Sequence, residues 1–259
     1  MRLTSGMRRS WSDFLSSLQF LTRIPVPSQP YEADSLSRSV KFFPVVGALI
    51  GGAAALIHWA LAPHLPRPIT AALVLLFLVL ITGGLHEDGL ADAADGLGGG
   101  TNREQTLLIF RDSRIGAYGG IALTLSLVGR LLLLSYLPLK QVAPYLITAH
   151  VLCRWTTLPL SCFLTSGRTQ SPQHIDGQGA RIARLTSIGT LIVGTLLSFA
   201  IAALLLGRHA IGPVLTASTL TLLTGLYYKK RIGGITGDCF GATNQLAEIV
   251  VYLGGVWCL

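Results

Sequence analysis

Charged residues make up only 12% of this 259-residue chain, too few to coat a soluble surface when 51% of the chain is hydrophobic. A soluble domain is thereby excluded, and a mean hydropathy of +0.58 points to an all-α, polytopic integral membrane bundle. Cysteine is scarce as well. Cys153, Cys162, Cys239 and Cys258 lie mostly in or beside apolar segments without a CxxC spacing, which leaves neither a disulfide framework nor a zinc site. No Walker A loop is present, since no Gly-Lys-Ser/Thr follows Gly98 to Gly100, and neither GxSxG nor HExxH occurs. The N-terminus, MRLTSGMRRSWSDF, has no compact apolar core and no small-residue cleavage site, so no removable signal peptide is expected. Net charge is +8, but the basic residues sit in short loops without a basic helix or interleaved aromatics, which argues against nucleic acid as a partner.

What the chain does have is long apolar runs. Stretches able to cross about 30 Å of hydrocarbon fall at Phe42 to Ala62, Ile69 to Leu85, Gly116 to Leu137, Val142 to Leu164, Thr186 to Leu206, Ala210 to Tyr228 and Leu246 to Leu259. Lys and Arg test this count of about seven. The segments before the first, between the second and third, fourth and fifth, and sixth and seventh carry six, three, three and three of them; the other side carries Arg67, Lys140 and Arg208. That asymmetry places the N-terminus in the cytoplasm and the C-terminus outside. The whole chain, 1–259, then reads as one membrane-embedded domain. Residues 1–41 form a cytoplasmic or interfacial segment, and 86–115 a cytoplasmic acidic active-site loop. Phe14 to Pro27 suits a short interfacial or re-entrant helix, or equally a helix on the solvent side. Gly47 and Gly51 form a GxxxG that allows close helix contact.

The chemistry concentrates in GGLHEDGLADAADGLGGG, Gly83 to Gly100. In a helix, Asp88, Asp92 and Asp95 share an arc of about 60°. Three like charges on one face call for a cation, and their hard oxygens select magnesium, manganese or calcium; a solvated acidic helix end is the alternative. Arg111, Asp112 and Arg114 follow, two guanidinium forks for phosphate around a carboxylate that would help hold the cation. Asp238 lies before the last run as a further ligand, base or helix cap, with Asn244, Gln245 and Glu248 beyond it. Arg130, His150, Arg154 and Glu248 fall inside apolar runs and should face the interior. Arg154, one turn from His150, binds substrate phosphate or pairs with Glu248; His58 reads as interfacial. A cation-coupled transporter would use the same buried charges as a pathway.

These residues together resemble the cobalamin synthase family, the adenosylcobinamide-GDP ribazoletransferases. The likeness runs through FLTRIPVP (Phe20 to Pro27), RSVKFFPVVGALIG (Arg38 to Gly51), the aspartate stretch, RDSRIGAYG (Arg111 to Gly119), Arg154-Trp155, and GGITGDCFGATNQLAE (Gly233 to Glu248). Thr165 to Ser187 matches least and contributes no functional residue. The resemblance implies an Mg²⁺-dependent enzyme that joins α-ribazole or its 5′-phosphate to adenosylcobinamide-GDP and releases GMP. On that reading Asp88, Asp92 and Asp95, with Asp112 or Asp238, hold the metal; Arg111, Arg114, Arg154 and Asn244 bind substrate; His86 or a metal-free aspartate takes the proton. The lipid bilayer is the other partner, and the oligomeric state is left open. A CDP-alcohol or prenyl-type transferase is the rival enzyme class, since CDP-alcohol phosphotransferases carry similar aspartate runs. Glu87 has no role assigned.

Overall fold

An apolar run in an apolar medium can satisfy its backbone only internally, which favours helices. The computed structural model describes residues 5–27, 35–167, 182 and 186–257, and among them the only extended pairing is an isolated parallel bridge, Ser166 to Ile235. The all-α architecture is as expected.

Helix α1 (Ser5–Leu21) is amphipathic, burying Asp13, Leu15, Ser17 and Leu21 while Met7 and Trp11 face outward. Asp13 is held at 3.3 Å by Arg38 of α2 (Ser35–Ser39) and at 3.3 Å by Lys41, in the 3-10 turn that leads into α3 (Phe43–Leu61). Phe20 stacks on Phe43, ring centroids 5.6 Å apart. The helix ends at Leu21, where the Thr22 hydroxyl accepts the Ile24 amide at 3.2 Å and Pro25 and Pro27 follow.

α3 crosses α8 (Leu139–Trp155) at the two glycines of its GxxxG. A Cβ on Gly51 would stand 2.7 Å from Ile147 Cα, and one on Gly47 would run into the His150 carbonyl, so only glycine permits this approach. α8 is the axis of the bundle: Val142, Tyr145, Leu146, Ala149 and Leu152 are all but fully enclosed.

α4 (Arg67–Thr82) ends at Gly83 and Gly84, whose φ values of 66° and 71° lie in the left-handed region that favours glycine. This double turn swings α5 (Leu85–Gly99) through 87° relative to α4. Residues 86–115 are therefore not an open loop: they contain α5 and the short α6 (Arg103–Ile109), which is capped by the Asn102 side chain accepting from the Gln105 amide, 2.9 Å. α5 lies against α7 (Ala117–Tyr136) and α12 (Gly237–Trp257).

Between them come α9 (Thr157–Phe163), α10 (Ile188–Leu206) and α11 (Ile211–Ile232). Gly194 of α10 abuts Leu158 and Gly225 of α11 abuts Leu160, so the two helices double back on each other, reversing at Gly207, φ 55°. α12 begins at Gly237, ahead of the apolar run expected from Leu246 and at the Asp238 end, where a cap is one of the readings the sequence allows. Its small residues Gly241, Ala242 and Ala247 let it sit close to its neighbours, and that packing overrides the poor helix propensity of Gly and Thr.

Among the described residues three stretches are long and apolar enough to cross a membrane: Ser35–Leu61, Ala117–Tyr136 and Ile188–Ile232. The bent α4–α5 pair is a fourth if taken as one broken span. Leu56, Trp59, Leu125, Leu196, Leu204 and Leu222 stand exposed on these helices, an apolar exterior unlike that of a soluble monomer.

Candidate active site

α5 and α12 meet backbone to backbone. A Cβ on Gly89 would stand 3.1 Å from Gly241 Cα, and one on Gly241 would stand 3.0 Å from Gly89 Cα. The crossing brings Asp88 of α5 and Asp238 of α12 to one narrow cavity of about 180 Å³, walled by Phe20, Phe43 and Phe240 and including His86. Asp88, Phe20 and Leu85 also line a second, wider cavity of about 630 Å³, which adds Arg23, Glu87 and Ile115. Arg23 is fixed there by its amide, which donates to the Ile81 carbonyl at 2.7 Å, and by its guanidinium lying against Gly83.

Behind Asp88, buried charge ties the helices together. Arg130 of α7, 1% exposed, lies 3.0 Å from Glu87 of α5 and 3.3 Å from Glu248 of α12. Gln245 Nε2 donates to the same Glu87 oxygen at 3.2 Å, and Ser126 donates to Gln245 Oε1 at 3.2 Å. His150 Nε2 faces Glu248 Oε1 at 4.0 Å, and Arg154 contacts His150 Nδ1 at 2.9 Å. Arg130, His150, Arg154 and Glu248 thus all face the interior, as expected for charges inside apolar runs. Glu87, unassigned from sequence, is the residue that fastens α5 to this network. One helical step separates it from Asp88, so the same anchor sets the rotation that turns Asp88 to the cavities.

Asp92 and Asp95 share helix α5 with Asp88 as the spacing implied, but they, Asp112, Arg111, Arg114, Arg154 and Asn244 line neither cavity. Asp92 and Asp95 lie half-buried on α5. Asp95 accepts the Gly116 amide at 2.7 Å and the Gly119 amide at 2.8 Å, which caps the start of α7 with both carboxylate oxygens. Asp112 sits in the α6–α7 connection, where Arg114 forks onto it at 2.7 to 3.2 Å and holds its carboxyl down at about 2. Arg111 and Arg114 are exposed and line neither cavity, although Ile115 beside them does. Arg154 is 1% exposed, engaged by His150, and lines neither cavity. Asn244 is buried on α12. Asp238 accepts the Thr236 hydroxyl at 3.1 Å, and that hydroxyl in turn faces the Cys239 amide at 3.5 Å. Among the described residues no three His, Cys, Asp or Glu side chains converge as a preformed metal cage. The sequence assigns Arg23 no role, although it lies within FLTRIPVP, one of the motifs that carry the resemblance.

A family model described as cobalamin-5-phosphate synthase matches residues 13–256, from the middle of α1 to the end of α12. The chain belongs to this family. A protein of Polaromonas sp. (strain JS666 / ATCC BAA-500) named adenosylcobinamide-GDP ribazoletransferase is 40% identical, the match covering 93% of this chain and 95% of the relative. A Shewanella amazonensis protein of the same name is 36% identical over 96% of each chain, and one from Vibrio cholerae is 36% identical over 93% and 91%. No solved structure matches.

For a cobalamin-5-phosphate synthase, the donor set on these cavities fits a magnesium ion. Mg²⁺ keeps several waters and is commonly bound through one or two carboxylates plus substrate phosphates, not by an all-protein cage. Asp88 and Asp238, two hard-oxygen ligands on one cavity from different helices, match that pattern. Asp95 and Asp112 are engaged by backbone amides and by Arg114.

Proposed function

We propose that this chain transfers the adenosylcobinamide phosphate moiety of adenosylcobinamide-GDP to α-ribazole or its 5′-phosphate, releasing GMP. The observation that carries the reading is the convergence of Asp88, Asp238 and His86 on one cavity at the Gly89–Gly241 crossing, in a chain whose relatives bear that enzyme's name. The acceptor hydroxyl oxygen bonds to the cobinamide-side phosphorus, the bond from that phosphorus to the GMP oxygen breaks, and the hydroxyl proton passes to His86. Asp88 and Asp238 would hold Mg²⁺, which supplies neutralising charge to the diphosphate. His86 is buried, so water is kept from the proton it would take.

The setting we propose is a bacterial cytoplasmic membrane crossed about seven times, with the N-terminus and both cavities on the cytoplasmic side. The exposed apolar residues of α3, α7, α10 and α11 would face lipid, and Arg130 and Glu248, which neutralise one another, would be structural rather than a transport pathway. Purified protein given adenosylcobinamide-GDP, α-ribazole and Mg²⁺ is expected to release GMP and a complete corrinoid, and chelation is expected to stop it. A protein that turns over a CDP-alcohol or prenyl diphosphate but not adenosylcobinamide-GDP belongs to the rival transferase class.

A further inference from the structure

We propose that the two cavities divide the substrates, the narrow one taking the flat aromatic base of the acceptor and the wide one the diphosphate of the donor. This division rests on the transferase reading above. Asp88, Phe20 and Leu85 form the wall common to both cavities, so a group bound in each would meet at Asp88, and a Mg²⁺ ion held by Asp88 and Asp238 would reach the diphosphate across that wall. The linings differ in chemistry. Phe20, Phe43 and Phe240 give the narrow cavity an aromatic wall, with Phe20 and Phe43 stacked on one another, that suits a planar heterocycle. Among the described residues Arg23 is the only Arg or Lys lining either cavity, and it makes no ion pair with another of them. A guanidinium left over at a cavity wall suits phosphate oxygens.

Size and proton chemistry agree with that assignment. The wide cavity has more than three times the volume of the narrow one and adjoins the exposed α6–α7 connection through Ile115, which suits the bulkier donor. His86 lines the narrow cavity and not the wide one. The acceptor's hydroxyl is the group that loses a proton, so the acceptor belongs on its side. Arg23 is then a donor-binding residue and Phe240 an acceptor-specificity residue.

Steady-state kinetics with each substrate varied against a saturating concentration of the other test the division. Phe240→Leu is expected to raise KM for α-ribazole about tenfold, the order of a lost base–aromatic stack, and to leave KM for adenosylcobinamide-GDP unchanged; Phe240→Tyr restores it. Arg23→Gln is expected to do the reverse, raising the donor KM about tenfold through a lost charge-assisted phosphate contact. Inorganic pyrophosphate should compete with the donor and not with α-ribazole, and Arg23→Gln should weaken that inhibition. If Phe240→Leu does not fold, Phe20→Leu is not a substitute, because Phe20 touches both cavities; pyrophosphate competition with wild-type protein and Arg23→Gln then decides. Both KM values moving together, or the opposite pairing, overturns the division while the transferase reading stands. Absence of GMP from wild-type protein overturns the transferase reading itself.

Discussion

At the scale of single residues, the decisive groups are charges whose partners lie far away in sequence. Arg130 was recognisable as a buried cation, but its pairing with Glu87 and Glu248 spans 43 and 118 residues, and no local pattern reports such a contact. Removing one member of a buried ion set leaves uncompensated charge, which costs roughly 3–5 kcal/mol. Arg130→Met should therefore lower the thermal unfolding midpoint in detergent sharply, whereas Arg130→Met combined with Glu87→Gln and Glu248→Gln should recover much of it. A single variant as stable as wild type would show that the ion set is not what fastens α5. Asp112 makes a different case, being local, solvent-facing and two residues from its partner Arg114. Its folded pKa, about 2, lies below the unfolded value of about 3.9. The pair therefore contributes above the unfolded value, and the contribution disappears as pH falls toward 2. Across roughly pH 5 to 8 Asp112 stays ionised. Arg114→Gln should return its carboxyl toward the ordinary range, read from side-chain carboxylate NMR shifts, with no new ionisation in the activity profile over that window.

At the scale of elements, glycine placement decides what the helices can do. The aspartate spacing and the GxxxG of α3 were legible because both are periodic. The full length of α12 was not: Gly237 to Asn244 reads as polar loop by propensity, and only its burial against α5 makes it helix. The Gly89–Gly241 contact was illegible for the same reason, since it needs α12 to start early. Backbone stands on both sides of this contact: Gly241 Cα at 3.1 Å and the Asp238 carbonyl at 3.2 Å from a Cβ on Gly89. Neither can rotate away, so Gly89→Ala should force α5 and α12 apart by a few tenths of an ångström and separate Asp88 from Asp238. Displacements approaching 1 Å can cost about a hundredfold in rate; this smaller one should lower kcat about tenfold and weaken apparent Mg²⁺ affinity, with the protein still monodisperse. Gly129→Ala, on a helix face with nothing within 4 Å, should leave kcat unchanged and raise stability slightly. Equal effects from both variants would mean that the crossing does not position the carboxylates.

At the scale of the whole molecule, the sequence-based topology can be compared with which connections the fold gathers at each end. Arg67, before α4, donates to the Leu137 carbonyl at the α7–α8 junction at 3.0 Å, so two connections expected on the outer side lie together. At the other end Arg103 reaches the Ile232 and Gly167 carbonyls at 2.9 and 2.8 Å, and Arg231 reaches those of Leu97 and Gly100 at 3.0 and 2.9 Å. Basic residues expected inside thus stitch one end of the bundle, the end that also carries Asp88, Asp238 and Arg23. The proposed seven crossings would give this grouping, because each passage exchanges one end for the other. Single cysteines at exposed Ser113 and exposed His64, in a background lacking the native cysteines, separate the two ends. A membrane-impermeant maleimide should label Ser113→Cys only in inverted vesicles and His64→Cys only in right-side-out ones. Labelling of both from one side would remove the odd number of crossings between these positions. Labelling with the sides exchanged would put the carboxylates on the face away from the cytoplasm, where a nucleotide-activated donor is not supplied.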